Sequence, residues 1–148
     1  MKVKYLLVAL LIVALAFLGI GCKVTGGGHF INEAFGQPPG EINFGFNAQA
    51  SEDGTMVKGE FQLVDHSTNP PTRVHGTFEG ITATGIAGTC TVNGEGPYPL
   101  EVAAMDAGEP GPDGDYINIY IDRTLMYSGY LEGGNIQFHP AKPEKNDE

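Results

Sequence analysis

The chain has 148 residues, 22 of them Gly and 10 Pro, and is 41% hydrophobic, 18% charged and 9% aromatic. That length holds one domain plus appendages, and glycine at about twice its usual share speaks against a coiled coil or a long helical bundle. With 8 Lys+Arg against 18 Asp+Glu, a formal net charge of -10, recognition of nucleic acid through its phosphates is excluded as well.

Lys2 and Lys4 precede an unbroken apolar run from Tyr5 to Phe17, followed by Leu18-Gly19-Ile20-Gly21-Cys22. A basic start, an apolar stretch and small residues at its end predict a secretory signal peptide over residues 1–21. The run is shorter than the about 20 apolar residues of a membrane-spanning helix. Cys22, directly after it, resembles the acylated cysteine of a bacterial lipoprotein, which becomes the mature N-terminus. Leu18 stands four positions before Cys22, where the lipoprotein pattern has leucine three before, and Gly19-Ile20-Gly21 also fits the cut of the ordinary signal peptidase. The expected location is an extracytoplasmic membrane face, held by lipid on Cys22 at about 0.8 kcal/mol per buried methylene; secretion is the alternative. Cleavage before Cys22 removes two lysines and no acid, which takes the net charge from -10 to -12, so attachment rests on lipid and not on a basic patch. The second cysteine is Cys90. It is a lone thiol in a strand if Cys22 is acylated, and a partner for a Cys22–Cys90 disulfide in an oxidising compartment if Cys22 is free.

Residues 22–32 read either as a tether to the lipid or as a first strand. From 33 to 139 the pattern has period two, interrupted by Gly, Pro, Asn and Asp. Ile42, Phe44 and Phe46 alternate with polar residues or glycine, and so do Val57, Phe61 and Leu63, then Val74, Gly76 and Phe78. Further on come Ile86, Gly88, Cys90 and Val92; Tyr98, Leu100, Val102 and Ala104; Ile117, Ile119 and Ile121; Leu125, Tyr127, Gly129 and Leu131; and last Ile136 and Phe138. Such alternation marks antiparallel strands with one buried face. Ser51-Glu52-Asp53-Gly54, Asn69-Pro70-Pro71, Asn93-Gly94-Glu95-Gly96, Pro110-Gly111-Pro112-Asp113-Gly114 and Gly133-Gly134-Asn135 carry turn chemistry. The expected fold is all-β, a single antiparallel meander of about eight or nine short strands closed as a small barrel or stacked as a β-sandwich. Strand glycines (Gly45, Gly59, Gly76, Gly88, Gly129) point to strong bending or close backbone approach and lean toward the barrel. The charged tail, residues 140–148, is expected to be disordered.

Three places offer chemistry. Asp106, Glu109, Asp113 and Asp115 lie within ten residues, an oxygen-rich loop of the kind Ca²⁺ uses; a solvated hairpin turn explains the same residues. Asp65 and His66 end one strand and His75 begins the next, so that a hairpin would set the two histidines nearly opposite each other. With His29 or His139 as a further ligand they would suit Zn²⁺, or they form an ordinary cross-strand polar pair. Tyr116, Tyr120, Met126 and Tyr130 fall on the outward face of two adjacent strands, as a binding surface for a protein or glycan or as a layer covered by another segment. There is no Gly-x-Ser-x-Gly, His-Glu-x-x-His or phosphate-cradling loop.

Val24-Thr25-Gly26-Gly27-Gly28, Phe44-Gly45-Phe46-Asn47-Ala48, Asp65-His66 with Val74-His75, and Thr91-Val92-Asn93-Gly94 form one set of phrases. Asp106-Ala107-Gly108-Glu109-Pro110-Gly111, Asp115-Tyr116-Ile117-Asn118-Ile119, Gly129-Tyr130-Leu131 and Gly133-Gly134-Asn135-Ile136-Gln137 complete it. Together they resemble the post-COAP domain, a small β module at the C-terminal end of many secreted bacterial proteins, over residues 24–139. The resemblance implies an extracytoplasmic accessory domain and carries over no catalytic residue. The expected function is a lipid-anchored, non-catalytic domain that binds or scaffolds, with Ca²⁺ in the acidic-loop reading and no required cofactor. The alternatives are a carrier of a small apolar ligand in a barrel interior and a metal-dependent enzyme built on the histidine pair.

Overall fold

Apolar side chains at every second position can leave water only if the sheet they stand on curls over them. In the computed structural model, which describes residues 23–51, 56–107 and 114–139, it does so completely. The described residues form β1 (Lys23–Ile31), β2 (Glu41–Ala50), β3 (Val57–Asp65), β4 (Thr72–Ile81), β5 (Ile86–Val92), β6 (Glu95–Met105), β7 (Tyr116–Ile121) and β8 (Thr124–His139). Each strand pairs antiparallel with the next and β8 pairs with β1, so the meander is a closed barrel and not a sandwich. Lys23–Ile31 is the first strand rather than a tether. The predicted signal peptide, Cys22 and the tail 140–148 lie outside the described residues.

The inward row is the predicted one. Val24, Phe30, Ile42, Phe61, Leu63, Val74, Leu100, Val102, Ile117, Ile119 and Ile136 are essentially without solvent contact. Phenylalanine rings fill one side of the interior in a chain: Phe30 to Phe44 (centroids 5.8 Å), Phe44 to Phe46 (6.2 Å), Phe46 to Phe78 (6.3 Å) and Phe78 to Phe61 (6.3 Å). Three of the four contacts are edge-on, worth about 0.5–1.5 kcal/mol each beyond area burial. Eight strands give a bore about wide enough for side chains to fill. The outer wall bears Lys58, Glu60, Gln62, Arg73, His75 and Glu79 as exposed residues. A barrel that spans a bilayer has the reverse arrangement, apolar outside and polar within.

Closure depends on glycine. Opposite Gly26-Gly27-Gly28 of β1 lie Ile136, Asn135 and Gly134 of β8; at Gly28 and Gly134 the facing backbone comes so close that a side chain has no room, and at Gly26 the Phe46 ring takes the space. Gly28 (φ +154) and Gly134 (φ +95) adopt backbone angles that suit glycine. Gly133-Gly134-Asn135, expected as a turn, therefore lies inside a single 16-residue strand, and Ile136 and Phe138 belong to β8 and not to a ninth strand. A bulge at the step from His29 to Phe30 brings Phe30 opposite Leu131 while His29 faces Gly133. Of the strand glycines singled out in the sequence, Gly59, Gly76, Gly88 and Gly129 each have an atom closer than a Cβ tolerates, whereas Gly45 faces open space.

β8 changes neighbours along its length: residues 124–130 pair with β7 and residues 131–139 with β1. The free side of its first half is covered by Asn32 and Glu33, just past β1. Asn32 is buried; its Oδ1 accepts from the amides of Ser128 (3.0 Å) and Ala34 (3.1 Å), and its Nδ2 donates to the carbonyl of Met126 (3.0 Å). The Glu33 amide donates to the Ser128 carbonyl at 2.7 Å. The β7–β8 turn is Asp122-Arg123, both left-handed (φ 51 and 65) with no glycine at either position, at a cost of about 1 kcal/mol or more per residue.

Candidate functional site

Asp115 of the predicted acidic loop is fully buried immediately before β7. Its Oδ1 accepts the Ala107 amide (2.9 Å), its Oδ2 accepts the Ile136 amide (2.8 Å), and its carbonyl accepts the Leu131 amide (3.0 Å). The carboxylate thus fastens the β6–β7 connection to the half of β8 that β7 does not reach. Asp106 sits half-buried at the end of β6, and Glu109 and Asp113 lie outside the described residues. Among the described residues no group of three His, Cys, Asp or Glu side chains is placed to hold a metal ion.

The histidine pair does not assemble. Asp65 faces Thr72 across the β3–β4 hairpin, so His66 falls in the turn, while His75 lies opposite Gln62, three residues further along β4. The pleat separates them too: Asp65 points into the barrel with Leu63 and Phe61, and His75 points out. His66 Nε2 pairs with Asn43 Nδ2 at 3.0 Å. His29 lies against Gly133 and His139 Nε2 is 3.1 Å from Thr25 Oγ1, both on the β1–β8 seam.

Asp65 has a different role. Its Oδ1 accepts the Ser67 amide (2.8 Å) and its Oδ2 accepts the buried Tyr127 hydroxyl (3.2 Å), joining the β3–β4 turn to β8 inside the barrel. Burial first, then the charge of Asp65 and the hydrogen bond to it, hold the Tyr127 phenol above its ordinary value of 10.0. A raised folded-state value means that this contribution to stability is complete below about pH 10 and is lost as pH rises beyond it. Thermal melts of Tyr127→Phe are expected to lose about 1 kcal/mol at neutral pH and to decline less steeply than wild type above pH 10.

Two of the three predicted tyrosines, Tyr116 and Tyr130, form one surface. Tyr116 and Tyr130 are cross-strand partners with ring centroids 4.7 Å apart. The Tyr116 hydroxyl meets Ser128 Oγ, which donates to Asn118 Oδ1 at 2.7 Å. Met105 of β6 stands opposite Tyr116. Continuing the β1–β8 register by one residue sets Ile31, 40% exposed, beside Tyr130, 56% exposed. Phe35 is fully exposed in the neighbouring loop. Tyr120 is separate from this row, and Met126, expected outside, packs against the core because a bulge between Ile119 and Tyr120 reverses its facing.

The sequence did not single out the wall from β2 to β7. There the outer surface carries shallow grooves of about 460, 460 and 380 Å³. The first runs along Gly45 between Asn47 and Glu60, the second reaches His75 and Thr91, and the third ends at Tyr120 and Arg123. Glu60 and Gln62 line both of the first two, and paired Thr89 and Pro99 lead from the second to the third. The readable signal was the outward half of each alternation, Asn, Gln, Thr and His where charged residues are commoner. In comparisons with family models, curated proteins and solved structures, nothing matches the chain.

Proposed function

We propose that the chain is an extracytoplasmic, lipid-anchored module that binds a ligand on its outer wall and performs no chemistry of its own. The observation that carries this reading is the filled, closed barrel: with phenylalanine and branched aliphatic side chains occupying the interior, the surface open to a partner is the wall. The carrier reading gains no support from such an interior, and the enzyme reading gains none from histidines that face away from Asp65. For the anchor, the support is Lys2, Lys4, the apolar run and Cys22. The likeness to the post-COAP domain points to the same extracytoplasmic, accessory role.

Expression of the full chain in a bacterial host tests the anchor. The expected product has acylated Cys22 as its first residue by intact mass and partitions into detergent, whereas Cys22→Ser moves essentially all of it to the aqueous fraction, since one polar side chain replaces whole acyl chains. A mature N-terminus at any other residue would overturn the anchor.

A further inference from the structure

On the outer wall the first two grooves meet at Glu60 and Gln62, and the third begins beside them across the Thr89–Pro99 pair. We propose that this belt binds a linear, uncharged oligosaccharide, a ligand class that rests on the binding-module reading above and sharpens it. The first two grooves, which share Glu60 and Gln62, cross β2 to β5, three strand spacings of about 4.8 Å or roughly 14 Å of the curved wall, suited to a short oligomer and not to a single sugar.

The chemistry of the lining selects the ligand. Asn47, Gln62, His75, Thr89 and Thr91 each offer both a donor and an acceptor, which is what a row of hydroxyls requires. No other described side chain engages them or Glu60 in a hydrogen bond or ion pair, so their capacity is open to a ligand. Gly45 contributes bare backbone, with nothing within 4 Å of where its Cβ would stand, and Tyr120 gives an aromatic face at the far end. Charge on the belt is sparse and mixed, Glu60 and Glu101 against Arg123. A polyanion meets a chain of net charge -12 after cleavage and is repelled. An extended peptide has no strand to join, because β2 to β7 are each paired on both sides.

The test titrates the chain from residue 22 onward, which contains the whole barrel and its core, with cellohexaose, maltohexaose, chitohexaose and the anionic hexagalacturonate, read by amide NMR. One of the neutral oligomers is expected to shift the amides of Gly45, Gln62 and Thr91 and the side-chain amides of Asn47 and Gln62. Gln62→Ala and His75→Ala, both at exposed positions, are each expected to weaken binding about tenfold, the equivalent of one or two lost hydrogen bonds, without moving the unfolding midpoint. The proposal is overturned by no shift with any neutral oligomer at millimolar concentration, by preference for hexagalacturonate, by shifts confined to Tyr116 and Tyr130, or by unaltered affinity in both variants. Binding of a lysine-rich peptide at the belt instead would overturn the glycan and leave the module reading standing, and membrane retention through Cys22 is independent of either result.

Discussion

Gly134→Ala is expected to lower stability by about 4 kcal/mol, on the order of 15 °C in Tm, or to prevent folding altogether. The added methyl would stand 2.0 Å from the Gly27 carbonyl oxygen and 2.4 Å from the Gly28 Cα, at a φ of +95 that alanine rarely adopts. Both obstacles are backbone, so no side-chain rotation relieves them. The only remedy is to part β1 from β8, and that opens the barrel along the one pairing that joins the ends of the meander. Gly45→Ala supplies the control. It sits in a strand of the same barrel with ordinary φ and open space around it, so the same methyl should be neutral or stabilise by up to about 1 kcal/mol. Urea unfolding of the two variants side by side checks the pair; similar midpoints would mean that the seam tolerates separation.

Asp115→Ala is the second large effect, expected to cost about 3 kcal/mol or more. Two amides that donate to a buried carboxylate, those of Ala107 and Ile136, would lose a charged acceptor, and such bonds are worth about 1.5–3 kcal/mol each. Asp115→Asn should fall between wild type and alanine, because its amide group accepts from one of the two N–H donors and turns an N–H toward the other. Denaturant midpoints of the three proteins establish the order. The same preparations separate this role from cation binding: with the carboxylate occupied by amides, Tm is expected to be equal in Ca²⁺ and in chelator, whereas a ligand that bound the native state would raise it.

The strands were legible because the interior imposes period two on every segment that lines it. Ile42, Phe44 and Phe46, or Ile117, Ile119 and Ile121, admit one facing only, and the short Gly-, Pro- and Asn-rich connections leave neighbours little choice but to pair. Legibility failed where one local signal serves two physical ends. Gly133-Gly134 reads as a turn in isolation; its meaning here comes from Gly27, Gly28 and His29, more than a hundred residues earlier, which occupy the space a side chain would need. Asp122-Arg123 makes a two-residue turn without glycine, and the bulge at Met126 reverses a facing that strict alternation would have kept. The histidine site came apart for a related reason. Proximity in sequence put Asp65, His66 and His75 together, but the pleat sends Asp65 and His75 to opposite sides of the wall. Density of acids suggested a cation in the loop of Asp106, Glu109, Asp113 and Asp115; what the pattern could not convey is that Asp115 is spoken for by the amides of Ala107 and Ile136.

β1 begins at Lys23, one peptide unit after Cys22. Consecutive Cα atoms are about 3.8 Å apart, so an acylated Cys22 gives the protein no leash. The rim formed by Lys23, Gln49 and His139 would rest among the lipid headgroups, and the level of Gly45 and Gln62, four residues up a tilted strand, would ride roughly 10 Å above them. Anchored in the proposed way, the protein would not reach outward to search for a target; it would hold only what already lies against the bilayer, as a fixed cleat and not as a grapple.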